Sequence, residues 1–408
     1  MKKVILLLTM WCFATIVICA QTSDTIFSRQ LRKDKGIVTT SGNSIRFLPS
    51  GHAKFEDMFE EIRNAKSFVH LEYFNFRNDS IAGLLFELLK EKAREGVEVR
   101  AIYDAFGNMS NNKPIKRAMH DSINSLGIKL VQFRPIRFPW LNHYLPRDHR
   151  KIVVVDGKVA YTGGMNVADY YITGIPKVGA WLDLHMHLEG PAVNELHRVF
   201  AEEWKHITKE SLEGEKYFPS NPDTSGSANV AIVDKKLGKT RDTMRYLFAN
   251  MLNSAKKSVK IINPYFVPTH RVRKALKKAI DRGVDVQIII SAKSDEPLTP
   301  EATHYVGNNL AKRGAKVYLF KGGFHHTKMM IIDDIYATVG STNLDARSLR
   351  CDYETNTVIF GEKETQWLVD HFEKQKLSSS QIHKGYWKTR TICKRFEGWF
   401  GNLLTPVL

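Results

Sequence analysis

Acid, cysteine and long apolar runs are all scarce in this sequence, and each shortage narrows what it can be. The 408 residues hold four cysteines and no CxxC pair, so neither a disulfide-stapled scaffold nor a structural zinc site of the usual spacing is indicated. Against 60 Lys and Arg stand 43 Asp and Glu, a formal net charge of +17. A fold does not need that excess; an anionic partner such as nucleic acid or a phospholipid surface explains it. Beyond Ala20 no segment is long and apolar enough to span a bilayer. At 43% hydrophobic and 25% charged, the chain is still too apolar to be disordered. Its length suits two domains or one large duplicated one.

Residues 1–20 form a separate object. Lys2 and Lys3 precede an uncharged run from Val4 to Ala20, and polar Gln21-Thr22-Ser23-Asp24 follows. This is the pattern of a secretory signal peptide, with cleavage expected after Ala20; a retained short membrane anchor is the alternative. Cys12 and Cys19 lie in this segment, and nothing in the sequence pairs the remaining Cys351 and Cys393.

The rest of the chain repeats itself. Phe55, Met58, Phe59 and Ile62 fall at helical spacing, as do Met244, Leu247, Phe248 and Met251. Each helix leads through an Ala-Lys pair into an apolar strand, at Ala65 to Leu71 and at Ala255 to Ile262. A second helix then ends at Gly96 in one half and Gly283 in the other, each followed by a Val-rich strand. Gly127 and Gly314 repeat at the same offset. The fold class expected is α/β: two halves packed as a pseudo-two-fold duplicated domain, with mixed, mostly parallel sheets flanked by helices. The expected divisions are 43–218 and 228–384 for the halves, 219–227 for a Pro/Ser/Gly-rich linker, and 385–408 for a basic, aromatic C-terminal segment.

Each half carries the same constellation. His149, Lys151 and Asp156 in the first, and His326, Lys328 and Asp333 in the second, both spell H-x-K-x-x-x-x-D. Asn166 and Asn343 stand equally far downstream, behind Gly163-Gly164 and Gly340-Ser341. Residues two apart on a strand share a face, so each half presents an imidazole and an ammonium together. Two such halves face to face suit a phosphodiester. One His attacks phosphorus, the other protonates the leaving oxygen, and Lys151, Lys328, Asn166, Ser341 and Asn343 hold the phosphoryl oxygens. No metal or other cofactor is called for, because the lysines supply the positive charge. Asp156 and Asp333 complete the catalytic motif, with a turn-holding role at the strand end expected of them.

On these residues the chain is identified as resembling the phospholipase D superfamily, and within it the bacterial cardiolipin synthases. The duplicated motif carries the wider resemblance. The narrower one rests on Gly96-Val97-Glu98-Val99-Arg100, Trp181-Leu182-Asp183-Leu184-His185, Asn263-Pro264-Tyr265-Phe266-Val267-Pro268 and Gly340-Ser341-Thr342-Asn343-Leu344-Asp345. The resemblance implies a phosphatidyl transfer in which two phosphatidylglycerols give cardiolipin and glycerol through a phosphatidyl-histidine. It also implies a carboxylate downstream of each catalytic histidine: Glu354 after His326, and Asp183 after His149. The implied partners are anionic phospholipid, phosphatidylglycerol above all, and a membrane surface, with nucleic acid disfavoured and no protein partner. The implied location is the bacterial cell membrane, on the extracytoplasmic or periplasmic side if residues 1–20 act as a signal peptide. A lipid hydrolase or nuclease using water as acceptor is the competing reading. A non-enzymatic scaffold would predict erosion of one motif, and both are intact. Two further segments stand out: the basic apolar stretch Arg134 to Leu141, and the aromatic, basic run Trp387 to Phe400, which has the makings of an interfacial helix.

Overall fold

A computed structural model of the chain describes residues 23–136, 145–220, 225–238, 240–296 and 299–404. The expected signal or anchor segment, most of the Arg134–Leu141 stretch, part of the linker and the last four residues lie outside them. Among the described residues, no helix is long and apolar enough to cross a membrane.

The first half runs α1 (Ser23–Lys35), β1 (Thr39–Leu48), α2 (Gly51–Asn64), β2 (Phe68–Tyr73), α3 (Ser80–Arg94), β3 (Glu98–Asp104), α4 (Arg117–Ser125) and β4 (Ile128–Phe133). It continues through β5 (Lys151–Val155), β6 (Val159–Gly163), β7 (Trp181–Leu182), β8 (His185–Glu189) and α5 (Ala192–Thr208). The second half begins β9 (Ala228–Lys235), α6 (Thr243–Ser254), β10 (Ser258–Ile262), α7 (His270–Asp281), β11 (Asp285–Ser291) and α8 (Thr299–Arg313). Then follow β12 (Lys316–Phe320), β13 (Phe324–His325), β14 (Met329–Ile332), β15 (Tyr336–Gly340), β16 (Glu354–Phe360), α9 (Glu362–Leu377), β17 (Ser379–Gln381) and α10 (Ile392–Leu403).

The periodic apolar residues do what their spacing predicts. Phe55, Met58, Phe59 and Ile62 bury one face of α2, and Met244, Leu247, Phe248 and Met251 bury the matching face of α6. The stops are also alike: Gly96 and Gly283 take φ of +88° and +81°, a left-handed conformation that glycine adopts without a Cβ penalty.

The strands order as β17-β12-β11-β10-β14-β15-β16-β9-β1-β8-β6-β5-β2-β3-β4. The central seam is the antiparallel β1–β9 pair, Thr39 opposite Ala231 and Asn43 opposite Ala228. About it the halves correspond strand for strand, with β17 an addition at one edge. The parallel character expected from the sequence is confined to β2-β3-β4 and β10-β11-β12 and to the short β7–β13 pair. The remaining pairings are antiparallel, because β5–β6 and β14–β15 are joined by tight turns, and a parallel pair needs a crossover of a dozen or more residues. Each half has its own apolar core. A third core lies between them, where Ile152 and Val154 join Met329, Ile331 and Val339 with Phe200 and Trp204 of α5 and Leu368 and Phe372 of α9. That shared core fixes β5 against β14, the two strands that carry the motifs.

Candidate active site

Strands β5 and β14 start where the halves touch, and the contact is reciprocal. The backbone N–H of His149 donates to the Tyr353 carbonyl at 3.0 Å, and that of His326 donates to the Leu182 carbonyl at 2.6 Å. The residue after each acceptor is a buried carboxylate, Glu354 and Asp183. Each carboxylate takes the ring of the same histidine. His149 Nδ1 lies 3.1 Å from Glu354 Oε1, and His326 Nδ1 lies 2.7 Å from Asp183 Oδ2. So each imidazole is held by the opposite half, at backbone and at ring. This corrects the assignment by sequence offset, which set Glu354 with His326 and Asp183 with His149. A carboxylate on Nδ1 fixes the proton there and leaves Nε2 as the reactive nitrogen.

His149 lies two residues before β5, and His326 and Lys328 lie just before β14, and each lysine stands beside its own histidine. Lys151 Nζ donates to the His149 carbonyl at 2.5 Å; Lys328 Nζ donates to the His326 carbonyl and lies 4.0 Å from Asp183. Burial depresses both ammoniums, Lys151 to about 7 and Lys328 to about 8, with Glu354 and Asp183 resisting. Burial also lowers His326 to about 4, with Lys328 adding to it, and holds His149 below the usual imidazole range, with Lys151 adding to it. Burial works against the two carboxylates, yet the neighbouring lysines and histidines keep both Asp183 and Glu354 ionised. The pocket therefore holds two neutral imidazoles, with two weakly held ammoniums set against two carboxylates. The charge of a bound phosphodiester raises the proton affinity of a ring, so that one histidine can act as acid while the other attacks.

Asn166 and Asn343 occupy equivalent buried positions, each with Oδ1 lacking a hydrogen-bond partner. An amide oxygen only accepts, so either residue's contact to a phosphoryl oxygen would have to come from the Nδ2 group beside it. Lys54 supports the first of them: its buried Nζ donates to the carbonyls of Met165 and Asn166 at 3.2 and 3.0 Å. The sequence carries a signal for it, a lysine in register with Met58 and Ile62 on the buried stripe of α2. Arg150, the variable residue of the first motif, points to the other face of β5, where Glu72, Asp234 and Glu203 hold it at 2.7, 3.1 and 3.4 Å. Buried Arg147 anchors the approach to His149 by donating from Nε to both oxygens of Asp104 at 3.0 Å.

Three expected site residues lie elsewhere. Asp156 and Asp333 sit at the far ends of β5 and β14, in turns at φ +53°. Asp156 accepts from the backbone N–H groups of Lys66, Ser67 and Phe68, and Asp333 from those of Lys256, Lys257 and Ser258. They hold the helix-to-strand corner and do not reach the pocket. Ser341 stands behind Glu354, its hydroxyl donating to Oε2 at 2.5 Å, so it braces the carboxylate and does not face a phosphate. Replacing Asp156 with alanine should cost about 1–3 kcal/mol of stability in a denaturant melt and leave KM unchanged. A drop in kcat at undiminished stability would return Asp156 to the chemistry.

A family profile described as cardiolipin synthase, PLD-like domain, matches residues 58–204 and 248–376, one segment in each half. A probable cardiolipin synthase of Bacillus subtilis is 35% identical over 94% of this chain and 75% of its own length. Cardiolipin synthase 1 of Staphylococcus aureus strain COL is 33% identical over 93% of this chain and 77% of its own. Among solved structures, a phosphatidylserine synthase of Haemophilus influenzae superposes with a TM-score of 0.64 at 14% identity, covering 89% of this chain and 95% of that one. That likeness is one of fold.

Proposed function

The chain belongs to the cardiolipin synthase family of phospholipase D-like phosphatidyltransferases, and from that premise we propose that phosphatidylglycerol is both donor and acceptor in its reaction. The observation that carries the reading is the pair of imidazoles, each clamped at Nδ1 by a carboxylate of the opposite half, between two buried lysines. In the first step Nε2 of one histidine attacks phosphorus. The other histidine protonates the leaving oxygen, glycerol departs, and a phosphatidyl-histidine remains. In the second step that other histidine takes the proton from a hydroxyl of a second phosphatidylglycerol. The hydroxyl oxygen attacks phosphorus, the P–N bond breaks, and cardiolipin leaves. Lys151, Lys328, Asn166 and Asn343 face the charge that builds on the phosphoryl oxygens. The reaction takes place at the surface of the bacterial cell membrane, on the extracytoplasmic side if residues 1–20 act as a signal peptide.

Purified protein given labelled phosphatidylglycerol alone should yield cardiolipin and glycerol in equal amounts, with phosphatidic acid minor. Added glycerol should drive the reaction back, since one phosphodiester is exchanged for another. Phosphatidic acid as nearly the sole product, indifferent to glycerol, would make the protein a hydrolase. DNA cleavage lost in His326→Ala would make it a nuclease.

The depressed lysines set the pH dependence. A lysine whose pKa is lowered loses its charge as pH rises through that value. In the free enzyme Lys151 and Lys328 discharge near pH 7 and 8, so kcat/KM should fall above that range. The bound phosphodiester restores their proton affinity, so the alkaline limb of kcat should lie at higher pH than that of kcat/KM. A kcat/KM still climbing beyond these values would show that the ammonium charge is not used.

A further inference from the structure

Helix α10 is amphipathic the wrong way round for a helix docked on a protein. It turns Gly398 and Gly401 inward, against α8. A Cβ at Gly398 would stand 2.7 Å from the Glu301 carbonyl oxygen and 2.6 Å from the Trp387 ring, so the close approach needs glycine. At 100° per residue, Ile392, Phe396, Trp399, Phe400 and Leu403 form one stripe opposite those glycines. All five are exposed, by between 46% and 82%. Of the thirteen large apolar side chains exposed among the described residues, these five share a single helix, and of the other eight only Trp367 and Leu377 share an element, α9. Such a contiguous stripe marks an interaction surface.

The stripe lies at the catalytic end of the sheet. Glu301, at the start of α8, pairs with Arg390 just before α10, and Arg273, at the start of α7, donates to Asn402 at 2.8 Å. Helices α7 and α8 both begin where β10 and β11 finish, and Ile262 at the end of β10 is opposite Met329, next to Lys328. The loop after β11 carries Asp295, which accepts from the Tyr265 hydroxyl at 2.7 Å, and the Tyr265 ring stands 6.0 Å from that of His326. On the first half, Met109 after β3 and Leu145 just before His149 are exposed at the same rim. Around the stripe the exposed charges are mostly cationic: Lys274 on α7, Lys384 and Lys388 before α10, and Lys394 and Arg395 on it, against Glu397 as the one exposed acid of that helix. An aromatic stripe bordered by cations matches a bilayer of anionic lipid, with rings at headgroup depth and ammoniums against phosphates.

We infer that α10 is the membrane-docking element of this protein, laying the stripe Ile392–Leu403 into an anionic bilayer and setting the catalytic mouth against the headgroups. The inference rests on a lipid-phosphodiester substrate as read above, and it adds the surface through which that substrate is reached. The test is amide hydrogen exchange on the full chain, read segment by segment, with phosphatidylglycerol vesicles, with phosphatidylcholine vesicles and with none. Segment-level reading separates α10 from any contribution of residues 1–20. Phosphatidylglycerol vesicles should slow exchange in 392–403 and at the start of α7, and phosphatidylcholine vesicles should not. In the triple variant Phe396→Ser, Trp399→Ser, Phe400→Ser that protection should disappear, and vesicle affinity through this segment should drop about a hundredfold. Its unfolding temperature should not fall, because the replaced rings face outward. In Lys274→Gln, Lys388→Gln, Arg395→Gln the protection should become weak and insensitive to salt. Unaltered exchange in α10 while phosphatidylglycerol is turned over would overturn the inference alone. Protection that grows with protein concentration in the absence of lipid would overturn it in favour of a second copy of the chain. Vesicle protection without turnover would instead sink the catalytic reading and leave the docking surface standing.

Discussion

Replacing His326 with alanine is expected to abolish cardiolipin formation, and replacing His149 should do the same, each by on the order of 10⁴-fold or more. Two imidazoles are needed because attack on phosphorus and protonation of the leaving oxygen occur on opposite sides of the same phosphorus. The single-variant losses should not be equal for every substrate. A phosphodiester with a nitrophenyl leaving group departs without a proton, so it spares the histidine that acts as acid and still requires the nucleophile. The variant that recovers on this substrate has lost the acid; the one that stays inactive has lost the nucleophile. Only the recovering variant should accumulate a phosphorylated histidine, since it has also lost the base that activates the acceptor. Near-normal turnover of phosphatidylglycerol by either variant would remove the paired-histidine mechanism.

How much of this was legible in the sequence follows from which interactions act along the chain. Duplication and strand period are one-dimensional, so the two H-x-K pairs, their asparagines and the glycine stops at Gly96 and Gly283 could be read directly. Residue partnerships across the seam could not. Glu354 lies 28 residues after His326 in sequence, yet β16 and the Asp148–Tyr353 bridge bring it to His149. The motif aspartates share the spacing of the catalytic pair, but buried strands of five and four residues carry Asp156 and Asp333 to the other end of the sheet. Arg150 reads as a variable position, and its meaning comes from Glu72, Glu203 and Asp234 on three different elements. The expectation of a mostly parallel sheet extended the βα pattern of 68–133 and 258–320 to segments that return by tight turns. Lys54 and Ser341 are missing or misplaced for a common reason: each supports a site residue through one hydrogen bond that sequence spacing does not encode.

The crossed carboxylates give the second large effect. Asp183→Asn and Glu354→Gln should each lower kcat by roughly 10³–10⁴-fold, because an amide neither fixes the Nδ1 proton nor stabilises the imidazolium that forms. Loss of rate alone would not tell crossed pairing from pairing within a half. Ring titration followed by NMR does. Glu354 raises the proton affinity of His149, so in Glu354→Gln the His149 ring should titrate at lower pH while His326 stays where it is. In Asp183→Asn the shift should fall on His326, already near 4, and leave His149 in place. A second readout comes from Lys328, whose ammonium is supported first by Asp183 and then by Glu354. Removing either charge lowers its pKa further below about 8, and Lys151 leans on the same two carboxylates in the reverse order, so the alkaline limb of kcat/KM should move to lower pH in both variants. Ser341→Ala, which removes only the brace on Glu354 and leaves its charge in place, should give a smaller loss, of about 1 kcal/mol in transition-state stabilisation. If Glu354→Gln moved the His326 titration and left His149 alone, each half would hold its own histidine. The two half-sites would then be independent, and the seam between β1 and β9 would have no part in building the pocket.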